Sequence, residues 1–215
     1  MSNTRVSLLQ EKDLDRAVDL FLDAFKKEAF TKSLLDLSHQ KSRAVYFQAV
    51  RYKLSLYLEA GHQAYGAFEN SSLLGMFILR SPHVKIPFGL HLRRLLPNLP
   101  AFAWLMPQFI KATHLSTAVQ PPGNLPKKHY SLEGLAVHPD HQGKGIGRLL
   151  LEKADQVCSA DSSASGIYLY TGDEINKELY QHLNYRILES KSTPYFTAYH
   201  LFKENLHHNK AEKPR

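Results

Sequence analysis

At 215 residues, 43% hydrophobic and 22% charged, the chain has the size and composition of one ordinary globular domain with a buried core. A single cysteine, Cys158, excludes an internal disulfide and favours a reducing, cytoplasmic setting. The start lacks the apolar segment of a signal peptide, and no run of about 18 apolar residues suggests a membrane span. The net charge of +7 is concentrated in one region: no acidic residue falls between Glu69 and Glu133, whereas Arg80, Lys85, Arg93, Arg94, Lys111, Lys127 and Lys128 do. That segment alone carries the excess.

In chain order, residues 4–10 read as a strand with Val6, Leu8 and Gln10 on one face. The acid-rich run from Glu11 suits a helix start. Leu14, Ala17, Val18, Phe21, Ala24 and Phe25 then recur at helical spacing, to about residue 27. A second helix is expected over 43–59, with Phe47, Val50, Leu54 and Leu58 inward and Gly61 placed to stop it. Strands at 63–69 and 73–79 flank Asn70-Ser71-Ser72, which reads as a hairpin. From residue 81 to about 128 prolines recur, so only short helical pieces fit, near 90–96 and 101–113.

A further strand ends at Leu135-Ala136-Val137, followed by a His138-Pro139-Asp140 turn and a helix from Ile146, on whose apolar side Cys158 belongs to the core. Ile167-Tyr168-Leu169-Tyr170-Thr171 reads as a fully buried central strand, with Gly172-Asp173 as turn and helix cap. A helix over 174–183 should end at Asn184, which tolerates the left-handed conformation. Strands at 185–189 and 194–203 complete an α/β domain over 1–203, leaving 204–215 as a disordered tail.

The chemistry lies in residues 130–152, YSLEGLAVHPDHQGKGIGRLLLE. Gly143, Gly145 and Gly147 let the backbone curl and expose its N–H groups to a ligand, while the following helix points its positive end at the same place. An anion belongs there, and Lys144 and Arg148 add charge for a di- or triphosphate. No Ser or Thr follows Gly143-Lys144, so this is no P-loop, and the GxGxG spacing misses the dinucleotide fingerprint.

The arrangement Gln142-x-x-Gly145-x-Gly147 after a strand and turn resembles the acetyl-CoA-binding motif, Q/RxxGxG/A, of the GCN5-related N-acetyltransferases (GNAT). The resemblance implies a mixed sheet splayed between its fourth and fifth strands, in the order βααββ, insertion, βαβαββ. It also implies a pyrophosphate held by Gln142, Gly143, Lys144, Gly145, Ile146, Gly147 and Arg148. Backbone groups of Leu135, Ala136 and Val137 would bond the pantetheine arm. The run from Asn176 to Tyr185 is similar to the family's N-x-x-x-Y-x-x-x-G-F, with Asn184-Tyr185 replacing Gly-Phe. It implies that Asn176 contacts the cofactor and that Tyr180 gives its proton to the departing sulfur. Glu133, two residues before Leu135 and by strand period on its face, is the expected base. The run His129-Tyr130-Ser131-Leu132-Glu133 looks like that of the puromycin-acetyltransferase-like branch.

His138 and His141 are expected to shape the turn, with no metal. The basic, apolar segment 81–128 would wall the acceptor site as a lid; a homodimer surface is the next reading, and no nucleic-acid motif is present. The expected activity is acetyl-CoA-dependent transfer to a primary amine of a small molecule, by direct attack. Transfer to a protein or peptide amine, and a catalytically silent CoA-binding regulatory module, are the alternatives.

Overall fold

The computed structural model describes residues 4–26, 28, 31–32, 36–100, 103–104, 106 and 117–208. Most of the helical piece expected at 101–113 lies outside them, as does 209–215. The strands are β1 (Arg5–Leu8), β2 (Gln63–Glu69), β3 (Ser72–Arg80), β4 (Tyr130–Val137), β5 (Gly166–Thr171), β6 (Arg186–Ser192) and β7 (Thr197–Glu204). The helices are α1 (Leu14–Phe25), α2 (Gln40–Ala60), α3 (Phe88–Leu95), α4 (Ile146–Ser159) and α5 (Glu174–His182). All seven strands form one mixed sheet in the order β1-β2-β3-β4-β5-β7-β6.

Local chemistry explains most boundaries. Asn70 and Ser71 both have positive φ, 46° and 71°, which gives the twist-compatible two-residue hairpin between β2 and β3. Gly61, at φ 95°, stops α2 by donating its N–H to Leu58 O and Tyr57 O. That helix starts three residues earlier than apolar spacing indicates. Its first turns are polar and tied to α1 by Arg43, which reaches Asp23 Oδ1 at 3.1 Å and Asp19 Oδ1 at 3.3 Å. Asp173 caps α5 by accepting the Asn176 N–H at 2.9 Å, and Asn184 takes φ 67° beyond it.

The sheet is covered on two faces. Leu150, Leu151, Ala154 and Cys158 of α4 pack on Phe77, Leu79, Leu132, Ile167, Leu169 and Leu201. On the other face α1 and α2 cover Ala64, Met76, Ile78 and Ala136. Several expectations need correcting. Leu8 is 52% exposed and its neighbour Leu9 is the buried residue, because β1 ends at Leu8 and the chain turns inward. Leu20 and Leu22, omitted from the expected stripe of α1, are buried as well. Tyr170 is 43% exposed, so β5 is not buried throughout: among the described residues, α1 and α2 cover this face at β2, β3 and Ala136 of β4.

The described parts of the 81–128 segment touch the rest of the domain at two places. Helix α3 docks on α2, where Arg93 and Arg94 both pair with Glu59. At the far end Ala118 packs on Phe196 and Ala198, and Ala118 O accepts from His200 Nε2 at 2.8 Å. Within the stretch expected as a disordered tail, the described residues 204–208 include one buried side chain. Buried Asn205 donates from its side-chain amide to Cys158 O, Asp161 O and Ala164 O at 2.9–3.0 Å. Uniform charge in the sequence hid that cap because a single amide makes it.

Candidate active site

Two local features of β4 create the site. Its parallel pairing with β5 lasts only for Tyr130↔Ile167 and Ser131↔Tyr168. Beyond Ser131 the strands part, so β4 has an edge that β5 does not pair, where backbone groups ahead of Val137 can meet an extended ligand. Secondly, Gly134 has φ 60°, and the register against β3 slips between Met76 and Ile78. Gly134 and Leu135 together face the single residue Phe77, a β-bulge. A Cβ on Gly134 would lie 2.9 Å from Phe21 Cε2, and Phe21 stacks on Phe25 with ring centroids 4.3 Å apart. An aromatic wall on α1 thus closes over the bulge.

The bulge corrects the expectation for Glu133. Strict alternation puts Glu133 and Leu135 on one face, but the extra residue flips the later half of the strand. Leu135 and Val137 pack on the α4 side, whereas Glu133 faces α2. There Lys53 Nζ sits 2.6 Å from Glu133 Oε2, and Arg80 Nη1 lies 3.5 Å from Oε1. Burial opposes the charge of the Lys53 ammonium, but Glu133 and then Tyr57 outweigh it, so its pKa is raised. Sequence reasoning missed Lys53, Arg80 and Gly134. Lys53 is one of two lysines on its helix, and no spacing rule links it to a strand eighty residues away. The glycine beside Glu133 was the available signal for a bulge.

Farther along this face stand Tyr170 and Tyr168. Tyr168 donates its hydroxyl proton to His200 Nδ1 at 2.7 Å, which fixes the His200 tautomer with the other proton on Nε2 toward Ala118 O. Glu28 Oε2 accepts from the Thr31 N–H at 2.8 Å and the Thr31 hydroxyl at 3.1 Å. Its other carboxylate oxygen lies 3.6 Å from where a Cβ on Gly172 would be. A carboxylate thus stands at the end of β5.

Tyr180 approaches from the α4 side. It is 7% exposed, shares the core cluster with Leu135 and Val137, and its ring lies 5.7 Å from that of Tyr185. Burial raises its pKa well above the ordinary tyrosine value. Asn176, four residues earlier on the same face of α5, is exposed.

The glycine loop has the conformation of an anion cradle. Gly143 and Gly145 have φ 74° and 81°, and nothing lies within 4 Å of a Cβ at either position. Gly145 is the N-cap of α4. The first helical bond runs from Leu149 N–H to Gly145 O, so the amides of Ile146, Gly147 and Arg148 point out of the helix start with no helical partner. The Gln142 side chain braces the loop by donating to Val137 O at 3.2 Å, and Lys144 Nζ donates to Asp140 O at 2.8 Å. Arg148 pairs with Glu152 one turn on. His138 Nδ1 accepts the Asp140 N–H, in keeping with a turn-shaping role. Cys158 is buried, and burial pushes its thiol up to about 12, the opposite of an activated nucleophile.

Sheet order, parted strands and glycine-headed helix together define a fold of the GNAT acetyltransferase class. Residues 112–187 match the acetyltransferase (GNAT) domain family. Solved structures agree over nearly the whole chain. One is the histone acetyltransferase HPA2 and related acetyltransferase from Corynebacterium glutamicum, at TM-score 0.65 and 15% identity, covering 95% of this chain and 97% of that one. Another is the ribosomal-protein-S18-alanine N-acetyltransferase from Escherichia coli, at TM-score 0.55 and 14% identity, covering 94% of each. A third is yncA, a putative acetyltransferase from Salmonella typhimurium with its cofactor acetyl-CoA, at TM-score 0.56 and 12% identity, covering 94% of this chain and 93% of that one. No sequence among the curated proteins matches the chain. No described helix is long and apolar enough to cross a membrane.

Proposed function

We propose that the protein is an acetyl-CoA-dependent N-acetyltransferase that moves the acetyl group to a primary amine of a small molecule by direct attack. The observation that carries this reading is the parting of β4 and β5 beside the α4 start: a strand edge that β5 does not pair leads away from free amides at a glycine-headed helix. The pantetheine arm, itself an amide chain, suits the first, and the pyrophosphate suits the second. Gln142, Gly143, Lys144, Gly145, Ile146, Gly147 and Arg148 hold the phosphates. The β4 backbone at Leu135, Ala136 and Val137 holds the arm, with Asn176 across the gap. Acetyl-CoA supplies an activated thioester.

Glu133 and Tyr180 lie on opposite faces of the parted strands, an arrangement suited to direct transfer. Glu133 takes the proton of the incoming ammonium on the α2 side, displacing Lys53 from its carboxylate. The amine nitrogen bonds to the carbonyl carbon, the carbon–sulfur bond breaks as Tyr180 protonates the departing sulfur from the α4 side, and the surplus proton left on the nitrogen passes through solvent to the Tyr180 phenolate, leaving a neutral amide. A buried phenol whose pKa is raised retains its proton at neutral pH, as an acid must.

The experiment is release of free thiol from acetyl-CoA against a panel of amines. Tyr180→Phe and Glu133→Gln should each lower kcat by at least about tenfold, given typical contributions of general acids and bases. The dissociation constant for coenzyme A should stay within about threefold in both. Changes below about threefold in kcat would remove these two roles. Thiol release with protein amines only would favour the protein-directed alternative, which the Escherichia coli neighbour represents by name. Tight coenzyme A binding without release would favour a silent module.

A further inference from the structure

Next to Glu133 lies a cavity of about 370 Å3, whose lining includes His62, Arg80, Ser81, Lys128, His129 and Ser131. We propose that this cavity is the acceptor's second anchor, binding an anionic group, carboxylate or phosphate, on the amine that is acetylated. The proposal rests on the acetyltransferase reading and narrows its substrate class.

The charge of the walls is one-sided. Arg80 and Lys128 bring two permanent cations, and no carboxylate is among the described residues that line the cavity. Lys128 has no ion-pair partner among the described residues, while Arg80 reaches Glu133 only at 3.5 Å. The two histidines add neutral polar groups. His62 Nδ1 accepts the Ser81 N–H at 3.2 Å, which leaves the proton on Nε2, and His129 Nδ1 donates to Pro126 O at 2.6 Å. Burial and then, among the charges, Arg80 hold both imidazoles below their ordinary pKa.

The site is also built. Ser131 is 5% exposed and lines the cavity from within the sheet. Arg80 stands opposite Ser131 in the β3–β4 register. Lys128 has φ 57°, a conformation uncommon for a side chain of its size. Two bonds hold the backbone there: Ser165 N–H to Lys128 O at 3.0 Å and Ser165 Oγ to Lys127 O at 2.7 Å. A strained backbone pinned from a neighbouring loop sets the lysine at the rim.

Geometry gives the acceptor a length. Ser131 and Glu133 share one face of β4 ahead of the bulge, two residues or roughly 7 Å apart. An amine poised at Glu133 with an anion at Ser131, Arg80 and Lys128 therefore spans several bonds, more than an α-amino acid offers. An ω-amino acid or an aminoalkyl phosphate has that length.

Binding to the cofactor-free protein tests this without turnover. Calorimetry with 6-aminohexanoate, 5-aminopentyl phosphate and hexylamine should show at least tenfold tighter binding for the two anionic amines. The preference should shrink as salt is raised. Lys128→Gln should reduce it at least fivefold, and Lys128→Arg should keep it; unchanged melting temperatures would confirm that both variants fold. Which anionic amine binds more tightly assigns carboxylate or phosphate. Equal affinity for hexylamine and its anionic counterparts, or a preference untouched by Lys128→Gln, overturns the subsite. If the binding preference holds while no amine releases thiol, the transfer reading fails and the anion site stands.

Discussion

At the residue scale, function depends on what surrounds two ionisable side chains. Glu133 is touched by Lys53 and Arg80, so its carboxylate belongs to a small charge network and not to an isolated strand position. Removing one partner of such a group leaves uncompensated charge. Lys53→Met is therefore expected to alter the KM for the amine more than kcat, since the variant takes away the ammonium that occupies the amine's place. Steady-state kinetics with a fixed amine and saturating acetyl-CoA would show it, and an unchanged KM would count against the displacement. For Tyr180, burial raises the pKa, so the phenol keeps its proton throughout the neutral and mildly alkaline range. The kcat of the wild-type protein should then hold level up to at least about pH 10, the ordinary tyrosine value. A descending limb centred below pH 9 would argue against Tyr180 as the acid.

At the element scale, the decisive irregularity is the bulge in β4. Gly134→Ala places a methyl 2.9 Å from Phe21 Cε2 in a backbone with φ 60°, so both strain and crowding apply. The cost is about 1–3 kcal/mol, read as a lower urea midpoint. Activity should fall by more than the folded fraction does, because Glu133 and Leu135 would lose their division between faces. An alanine variant of full stability and activity would show that the bulge is incidental. The glycines of the loop were legible from sequence because their spacing is local to one helix start. The bulge was less so, since Glu133-Gly134 is an ordinary pair until its partner strand is known. In the 81–128 segment, prolines announced short pieces, and α3 at Phe88–Leu95 fits that. Its docking partner, Glu59 on α2, is non-local and left no trace in the spacing.

At the scale of the whole molecule, buried acids that keep their protons link stability to pH. Burial first, then Asp155, pushes the Cys158 thiol up to about 12. Burial and the bond to Asp161 do the same for Tyr130, also to about 12. Unfolded, these groups release protons near 8.5 and 10. The folded state binds more protons above those values, so stability is full below about pH 8.5 and is lost as pH rises toward 12. The urea midpoint should begin to fall from about pH 8.5, and Cys158→Ala should delay that fall toward about pH 10. A wild-type midpoint constant from pH 7.5 to 10.5 would refute the linkage.

Taken alone, the sequence determined the order of elements, the helix ends at Gly61 and Asp173, and the glycine loop with its helix. Each depends on residues within one or two turns of one another, where spacing, capping and φ preferences act directly. Tertiary structure decided which face Glu133 occupies, that Lys53 and Arg80 meet it, and that Asn205 is a buried cap. It also decided that Lys128 and Ser131, distant in character but adjacent in the sheet's margin, line a common cavity. Those outcomes depend on contacts between residues far apart in the chain, and the division of Glu133 from Leu135 on one inserted residue in β4, since a slip of one residue reverses every side chain beyond it.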